Sequence, residues 1–206
     1  MTHAHEDAMS VIKLGLVTSN DNKLAELADL LPTGYAVVRL DRGEVEETGS
    51  TFEENAALKA IAGLSDCAFA LGEDSGLEVE ALGMAPGVYS KRYGDSDAER
   101  IERLLHELQG IEDREARFVT VIAMARRGAA TELFRGEVQG TIAHTPSGGH
   151  GFGYDPIFLP DEGDGRSFAE MTREEKGRIS HRGRALAALV QRLAGLSDLG
   201  SDHSGT

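Results

Sequence analysis

The sequence predicts an α/β domain built around a mixed β-sheet. In the first part of the chain, apolar runs rich in β-branched residues alternate with helical patterns, as strands and helices do in α/β proteins. Between residues 118 and 142, strand-like runs follow one another without an intervening helix. With 206 residues, of which 40% are hydrophobic and 27% charged, the chain is long enough to bury one sizeable core.

The first half of the chain contains two predicted strands, each followed by a helix. Ile12–Val17 and Tyr35–Leu40 are short apolar runs typical of buried strands. The first helix ends at Pro32, and its apolar positions are Leu24, Leu27, Ala28 and Leu31. Ser50–Glu54 offers a capping box in either of two registers, which predicts a helix that continues to about Gly63.

Later segments supply more strands. The apolar run Cys67–Leu71 predicts a strand, and Phe118–Ala125 predicts a buried one because it is almost continuously apolar. Thr131–Ile142 predicts one or two strands broken at Gly136 and Gly140, since glycine weakens a strand interior.

Two amphipathic helices complete the predicted elements. Ser96–Glu99 is a capping box, and the helix that it starts ends at Gly110. Its apolar stripe consists of Ile101, Leu104, Leu105 and Leu108. Ser180 is the expected N-cap of the last helix, whose apolar positions are Leu186, Leu189, Val190 and Leu193.

The charge balance excludes whole classes of partner. With 21 basic and 35 acidic residues, the chain has a net charge of −14 when His is neutral. Such a surface repels nucleic acid and anionic membranes at long range, so we expect neither as a partner. An anionic ligand therefore requires a local basic pocket.

The expected compartment is the cytoplasm. No segment approaches the roughly 18 apolar residues of a membrane span, and Met1–Ser10 lacks the apolar core of a signal peptide. The single Cys67 lies in an apolar run and favours a reducing compartment. We expect one domain over residues 11–195, with a flexible segment at 1–10 and a flexible tail at 196–206.

Two adjacent carboxylates, Glu73 and Asp74, follow the apolar run that ends at Leu71. We expect them at a strand end, where neighbouring like charges are costly unless a cation binds there. The alternative is a polar turn, because Asp-Ser-Gly is common turn sequence.

The loop Thr18–Lys23 leads from the first strand to the N-terminus of the first helix. Free N–H groups and the helix dipole favour an anion at such a position, and Lys23 adds a full positive charge. The loop is not a Walker A sequence, and many loops of this kind in α/β proteins bind nothing.

Two later segments also combine ligand-binding groups. Gly148–Gly153 holds four glycines around Phe152, whose ring suits stacking on a nucleobase. The alternative is a glycine-rich hairpin with a core phenylalanine. His181 and Arg182 fall in the first turn of the last helix, where cations oppose the helix dipole. An anion bound between them would offset this cost. The alternative is a solvated basic helix end.

Together these segments hold what chemistry on a nucleoside triphosphate requires. Lys23, Lys176 and Arg182 can neutralise phosphates, and an aromatic ring can take the base. The acids at 46, 47, 73 and 74 can hold Mg²⁺, which prefers one or two carboxylates plus substrate phosphates.

With these residues the chain resembles the inosine triphosphate pyrophosphatase family, also called XTP/dITP diphosphatases or non-standard purine NTP pyrophosphatases. The matching blocks occur in the family's order and cover residues 12 to 193. They are T-x-N-x-x-K at Thr18–Lys23, E-E-T-G-x-T-F-x-E-N-A-x-L-K-A at Glu46–Ala60, D-S-G-L at Asp74–Leu77, A-P-G-V-Y-S-x-R-Y at Ala85–Tyr93, G-F-G-Y-D-P at Gly151–Pro156, and E-K with S-H-R at Glu175–Arg182.

The resemblance implies an elongated α/β fold with two lobes around a long twisted mixed sheet, an active-site cleft between them, and usually a homodimer. It implies Mg²⁺-dependent hydrolysis of dITP, ITP and XTP to the monophosphate and pyrophosphate. Asp74 matches the acid assigned as proton acceptor and metal ligand, and Glu46 matches a metal-binding acid. The nucleotide-binding positions match Thr18, Ser19, Asn20, Asp21, Asn22, Lys23, Ser75, Phe152, Gly153, Tyr154, Asp155, Lys176, His181 and Arg182.

The chain departs from the family pattern at three positions. Ser19 replaces a glycine but is also small, so close phosphate approach is kept. Glu73 stands where a second Asp is usual. Its extra methylene could shift the metal by about an ångström, and a shift of that size would alter the rate. Gly177 replaces a common Asn and removes one side chain that can hydrogen-bond.

Two other functions remain open from the sequence. One is a related nucleotide pyrophosphatase of the Maf type that acts on modified pyrimidines, against which the ordered G-F-G-Y-D and S-H-R blocks argue. The other is a nucleotide-binding sensor without catalysis, for which the Glu73 departure is the only support.

Overall fold

A six-stranded mixed sheet forms the centre of the fold. The structure, a computed structural model, describes residues 11–43 and 45–201, with side chains up to residue 195. The strands are β1 (Ile12–Val17), β2 (Tyr35–Leu40), β3 (Phe69–Val79), β4 (Glu115–Arg126), β5 (Glu132–Ile142) and β6 (Phe158–Pro160). The helices are α1 (Asp21–Leu30), α2 (Phe52–Gly63), α3 (Asp97–Glu107), α4 (Arg173–Ile179) and α5 (His181–Ser201).

The strand order is β2-β1-β3-β4-β5-β6, and the pairing type changes at β3. β1 lies parallel to both β2 and β3, whereas the pairs from β3 to β6 are antiparallel. We call the part around β1 and β2 the parallel end and the part around β5 and β6 the antiparallel end. The alternation of strands and helices followed by clustered strands therefore predicts the sheet correctly.

β3 is much longer than its parallel neighbour. The pairing of β1 with β3 ends at Val17 and Gly72, and β3 then continues to Val79. Among the described strands, none pairs with Glu73–Gly76 on the side where β1 ends. We call this four-residue stretch the open edge, because β3 has no neighbouring strand there on that side and its side chains alternate between the two faces of the sheet.

Helices cover both faces of the parallel end. On one face, Leu27 of α1 and Leu186 of α5 pack with Leu71 and Ile122 of the sheet. On the other face, Phe52, Ala56 and Ala60 of α2 pack on alternate residues of β4 such as Val121. Since side chains alternate along a strand, we name these the α5 face and the α2 face.

The antiparallel end has a core of its own. Leu77 and Val79 of β3 pack there with Leu104 of α3, Phe158 of β6 and Phe168. β3 and β4 run through both ends, so they join two cores on either side of the open edge. This is the two-lobed α/β arrangement that the family resemblance implies.

Most predicted elements are confirmed in place and type. β1 and β2 have the predicted bounds, and Pro32 follows the end of α1. Of the two capping registers before α2, Thr51 is the cap, since its Oγ1 accepts from the N–H of Glu54 at 3.2 Å. The carboxylate of Glu54 reaches back to the N–H of Ser50 at 2.7 Å.

The structure corrects three expectations about elements. Glu73 and Asp74 lie inside β3, neither at a strand end nor in a turn, because β4 pairs with the strand throughout. β5 is one unbroken strand, and a side chain at Gly136 would clash with the backbone of α5. The helix α4 is additional, with Thr172 as its N-cap and Glu175 closing a capping box.

The ends of the chain are only partly described. α5 continues to Ser201, past the expected start of the tail at residue 196, because no proline interrupts it. The expected flexible segment at 1–10 and residues 202–206 lie outside the described residues. Within the described chain, no helix combines the length and apolarity needed to cross a membrane.

Candidate active site

Asp74 is a buried carboxylate on the α2 face of the open edge. Its Oδ2 accepts from Asn55 Nδ2 at 3.2 Å, and its Oδ1 accepts from Lys59 Nζ at 3.3 Å. Asn55 and Lys59 lie one turn apart on α2 and so project from the same side of the helix. α2 approaches closely because Gly72 has no side chain: a Cβ there would clash with the backbone of Ala56 and Ala60.

Lys59 links Asp74 to the acidic loop before α2. Besides Asp74, its Nζ contacts the carbonyl oxygen of Glu73 at 3.0 Å and Glu47 Oε1 at 2.6 Å. Burial raises the pKa of Asp74, the Lys59 ammonium opposes that rise, and the nearby Glu47 carboxylate adds to it. Asp74 therefore holds a proton more readily than an ordinary aspartate.

Glu73 projects to the opposite, α5 face and has its own cations. Its Oε1 lies 2.9 Å from Arg182 Nε and 3.2 Å from Lys23 Nζ. Burial would raise the pKa of Glu73, but Arg182 and Lys23 outweigh it and lower the pKa to about 2. Cations therefore lie beside both acids, as expected, but the alternation of β3 puts the acids on opposite faces, so Glu73 pairs with Arg182 and Lys23 whereas Asp74 pairs with Lys59.

Arg182 is held by two carboxylates. Besides Glu73, Glu26 of α1 accepts from its Nη1 at 2.9 Å. Arg182 is 3% exposed, and these carboxylates raise its pKa although burial acts in the opposite direction. The guanidinium thus joins β3, α1 and α5 at one point.

The loop Thr18–Lys23 begins where β1 ends and lies beside the open edge. Asn20 caps α1, because its side-chain oxygen accepts from the N–H groups of Asn22 at 2.9 Å and Lys23 at 3.4 Å. Asp21 pairs with Arg39 of β2, whereas Lys23 Nζ lies 3.5 Å from Ser75 Oγ. Thr18 Oγ1 accepts from the N–H of Asn20 at 3.0 Å, and Ser19 is exposed.

The glycine loop is organised by Asp155. Its buried Oδ2 accepts from the N–H of Phe152 at 2.9 Å and from Lys176 Nζ at 2.6 Å. Lys176 Nζ lies 5.0 Å from the centre of the Phe152 ring, and Arg182 Cζ lies 5.3 Å from it. An aromatic face, an ammonium and a guanidinium therefore meet on the α5 face of the site.

Gly153 and Tyr154 connect this loop to the antiparallel end. The N–H of Gly153 donates to Asp97 Oδ2 at 2.7 Å, at the start of α3. Tyr154 is buried, and its hydroxyl donates to the carbonyl oxygen of Ser90 at 3.0 Å. Burial raises the pKa of Tyr154. In this structure both residues fix the loop in place.

His181 lies at the junction of α4 and α5. Ser180 ends α4 and caps α5, since its Oγ accepts from the N–H of Gly183 at 3.1 Å. The His181 ring stacks on Phe118 with a centroid distance of 4.6 Å and an angle of 9°. Burial and the cations Arg182, Lys176 and Lys23 lower the pKa of His181 well below its usual value, so the imidazole is neutral.

The open edge brings most of the predicted site residues together. Asp74 lies on the α2 face, and Lys23, Ser75, Phe152, Asp155, Lys176, His181 and Arg182 are linked on the α5 face. Glu46 is exposed and has no ion pair among the described side chains. The cations expected to receive phosphates are already bonded to carboxylates of the protein.

Sequence reasoning missed several residues that shape the site. Asn55 and Lys59 hold Asp74, and Glu26 holds Arg182. The spacing of Asn55 and Lys59 on a well-capped helix directly after an acidic loop is a signal for the first pair. Glu26 follows Lys23 by three residues and therefore faces the same side of α1.

A metal ion would depend on substrate oxygens at this site. The described residues contain no cluster of three or more His, Cys, Asp or Glu side chains arranged to hold one. However, Asp74 and Glu47 both contact Lys59 Nζ, at 3.3 and 2.6 Å, so two carboxylates converge on one ammonium. This donor set fits Mg²⁺, which often uses one or two carboxylates together with phosphates.

A surface groove lies elsewhere, away from the open edge. It is lined by α3 and by the loops around Ile111 and His144, and none of the predicted site residues contributes to it. Its lining offers no buried catalytic group. The open edge, where Asp74 is buried, is therefore the candidate active site.

Comparison with known proteins supports one family. The model of the Ham1 family matches residues 14–192. The chain is 52% identical over 178 residues to a dITP/XTP pyrophosphatase of Gloeobacter violaceus, covering 85% of this chain and 91% of that protein. It is 50% identical over 183 residues to the protein of the same name in Deinococcus deserti, covering 84% and 86%.

Solved structures agree with this assignment. A HAM1 protein of Coxiella burnetii has a TM-score of 0.83 at 40% identity, covering 90% of this chain and all 100% of that one. The Ham1 protein of Staphylococcus aureus has a TM-score of 0.82 at 40% identity, covering 89% and 98%.

Proposed function

The chain belongs to the Ham1 family, and from this we propose that it hydrolyses deaminated purine nucleoside triphosphates. The substrates are dITP, ITP and XTP, and the products are the nucleoside monophosphate and pyrophosphate, so the enzyme cleanses the nucleotide pool. One observation carries the proposal: the open edge places the buried Asp74 on one face and the Phe152, Lys176 and Arg182 group on the other.

The base is placed against Phe152. Stacking on an aromatic ring is worth about 1–3 kcal/mol and accepts any base, so selection needs a polar contact. Hypoxanthine and xanthine carry an acceptor oxygen at position 6, to which His181 or Arg182 donates. Adenine carries an amino group there and leaves the donor unpaired, a discrimination that can reach about 10⁴. Guanine shares the 6-oxygen, so dGTP is rejected by another part of the pocket.

The triphosphate crosses the open edge from Lys23 toward Asp74. Lys23 Nζ lies 3.5 Å from Ser75 Oγ, beside the loop Thr18–Asn22, which follows β1. Because Lys23 already contacts Glu73 at 3.2 Å, the phosphates share this cation with a carboxylate. Because each cation of the site is already paired with a carboxylate of the protein, the site needs further positive charge to bind a triphosphate.

Mg²⁺ supplies that charge when it is bound, and it neutralises the phosphate oxygens. We propose that Asp74 would hold it together with Glu46, which matches a metal-binding acid of the family and is exposed in the loop before α2. Glu47, next to Glu46 in the same loop, contacts Lys59 at 2.6 Å and adds negative charge beside Asp74.

Asp74 accepts the proton of the attacking water. Burial raises the pKa of Asp74 toward the range in which a carboxylate is a better base. Asn55 and Lys59 fix the two carboxylate oxygens at 3.2 and 3.3 Å, so the acceptor is already oriented. The water attacks the α-phosphorus, and pyrophosphate leaves.

A product assay tests this function. The protein is incubated with Mg²⁺ and, separately, with dITP, XTP, dGTP, dATP and modified pyrimidine triphosphates, and pyrophosphate and orthophosphate are measured. We expect pyrophosphate from dITP and XTP, none without divalent metal, and little from dATP. Orthophosphate as the sole product would refute the mechanism, and turnover of modified pyrimidines alone would favour the Maf-type activity. Binding without turnover would favour the sensor.

We also propose a homodimer in the cytoplasm. The homodimer is usual for the family that the sequence resembles, and light scattering after gel filtration tests it. The reducing compartment accords with the thiol of Cys67, which donates to the carbonyl oxygen of Phe69 at 2.9 Å and whose pKa is raised by burial.

A further inference from the structure

Two buried polar atoms lack a hydrogen-bond partner in the described part of the chain: Thr120 Oγ1 and His181 Nδ1. Buried polar groups are almost always paired, so each such exception has a physical reason. When two of them lie side by side, one interaction satisfies both.

The fold places Thr120 beside His181. The His181 ring stacks on Phe118, and its carbonyl oxygen occupies the position that a side chain on Gly136 would take. Thr120 lies between these two points: it follows Phe118 by two residues on the same face of β4, and Gly136 is its partner in the β4–β5 ladder. The Thr120 side chain therefore lies under the first turn of α5.

The two ring nitrogens of His181 differ in their surroundings. Nδ1 is fully buried, whereas Nε2 is not among the buried unpaired atoms and makes no hydrogen bond with the described residues, so Nε2 is the nitrogen that keeps some solvent exposure. The pKa of His181 lies well below its usual value, so one nitrogen carries a proton and the other is an acceptor.

The unpaired state of Nδ1 decides which nitrogen is protonated. An unpaired buried N–H is rarer than an unsatisfied acceptor, which disfavours the proton on Nδ1. The hydroxyl hydrogen of Thr120 also needs an acceptor, and Nδ1 is the buried side-chain nitrogen in the first turn of α5 that lacks a partner among the described residues.

We propose that Thr120 is a positioning residue that sets the specificity of the site through the tautomer of His181. Its hydroxyl donates toward Nδ1, by a side-chain rotation or through one water molecule, and so keeps the proton on Nε2. His181 then presents a donor to the 6-oxygen of a deaminated purine and opposes the 6-amino group of adenine. This inference rests on the proposed function.

The test compares Thr120→Val, which keeps the shape and removes the hydroxyl, with Thr120→Ser, which keeps the hydroxyl. The readout is the ratio of kcat/KM for dITP to kcat/KM for dATP. We expect the ratio to fall by about tenfold or more in Thr120→Val and to be retained in Thr120→Ser. Thr141→Val, the same change at a partly buried site in β5, is the control and should leave the ratio unchanged.

An unchanged ratio in an active Thr120→Val enzyme overturns the inference, even if thermal stability shifts, because a purely structural role changes stability alone. If the wild type releases no pyrophosphate from dITP, the proposed function itself fails. The two failures are therefore distinguishable.

A second measurement needs no Thr120 variant. Nitrogen-15 NMR of the wild-type imidazoles, with the His181 signals identified by their loss in His181→Gln, reports which nitrogen is protonated. We expect a protonated Nε2 at neutral pH. A protonated Nδ1 overturns the inference.

Discussion

Glu73 and Asp74 are neighbours in the chain but experience opposite electrostatic environments. Arg182 and Lys23 overcome burial and lower the pKa of Glu73 to about 2, so Glu73 is a permanent anion that anchors cations. Burial and Glu47 raise the pKa of Asp74 despite Lys59. Two carboxylates whose environments separate their pKa values suit different roles, which supports the proposal that Asp74 accepts the proton.

Replacement of Asp74 by Asn should abolish turnover while nucleotide binding survives. The amide keeps the shape and the contact with Lys59 but cannot accept a proton, so we expect kcat for dITP to fall by about 10²–10⁴-fold. Steady-state kinetics and calorimetric titration with dITP measure the two quantities. Asp161→Asn, the same change at an exposed position, is the control. Full activity in Asp74→Asn would remove this residue from the chemistry.

His181 should make the folded protein less stable as the pH falls below 6.5. The folded pKa of His181 is lowered by burial and by Arg182, Lys176 and Lys23. Below 6.5, the ordinary value, the unfolded chain therefore binds a proton that the folded chain does not. Above pH 6.5 this difference in proton binding has no effect on the free energy of unfolding. Below that pH it lowers the free energy of unfolding by at most about 1.4 kcal/mol per pH unit.

Urea unfolding between about pH 7.5 and 5.5 checks this prediction. His181→Phe keeps a ring on Phe118 and removes the titration, so its free energy of unfolding should depend less on pH than that of the wild type. Equal pH dependence in the two proteins would show that His181 titrates normally in the folded state.

At the residue scale, the sequence identifies groups but not their pairings. The roles expected of Asp74, Phe152 and Arg182 depend on local motifs, and those segments do meet at one edge. The bond between Arg182 and Glu73 joins residues 109 positions apart, which no local pattern contains. Lys59 likewise belongs to a block that matches the family, but its sequence position does not identify it as the partner of Asp74.

At the element scale, backbone contact between α2 and β3 positions the carboxylate of Asp74, the proposed proton acceptor. A side chain at Gly72 would clash with the carbonyl oxygen of Ala56 and the N–H of Ala60. α2 carries Asn55 and Lys59, so any displacement of the helix also moves both groups away from Asp74.

Gly72→Ala should therefore reduce both stability and activity. We expect a loss of about 1–3 kcal/mol in the free energy of unfolding. Because a misplacement of about 1 Å can cost about 10²-fold in rate, kcat for dITP should fall by up to that factor. Urea unfolding and steady-state kinetics are the measurements. Gly195→Ala, in α5 with open space around it, should leave activity intact. Unaltered kcat in Gly72→Ala would contradict the positioning role.

Local sequence signals predict most elements, and they fail where packing against a distant element determines the backbone conformation. Asp-Ser-Gly at 74–76 favours a turn, but β4 pairs with this stretch over its whole length and keeps it extended. The glycines of β5 suggest breaks, whereas Gly136 is there because α5 lies against it. α4 escapes detection because it is only seven residues long and contains Gly177.

At the scale of the whole molecule, one pair of strands connects two cores. β3 and β4 contribute Leu77 and Phe118 to the antiparallel end, and Leu71 and Ile122 to the parallel end. The open edge lies between these positions, so loosening either core disturbs the strand that carries Asp74. We therefore expect the two ends to unfold together.

Leu104→Ala tests this cooperativity. Leu104 is 0% exposed in the core of the antiparallel end, and its truncation should cost about 2–5 kcal/mol. Hydrogen exchange monitored by mass spectrometry compares α3 with β1, which lies in the other end. Glu102→Ala, an exposed change on the same helix, should cost no more than about 0.5 kcal/mol. If the shared strands couple the ends, the slowest-exchanging amides of β1 lose as much protection as those of α3. Loss confined to α3 would mean that the antiparallel end opens independently while the strand bearing Asp74 stays folded.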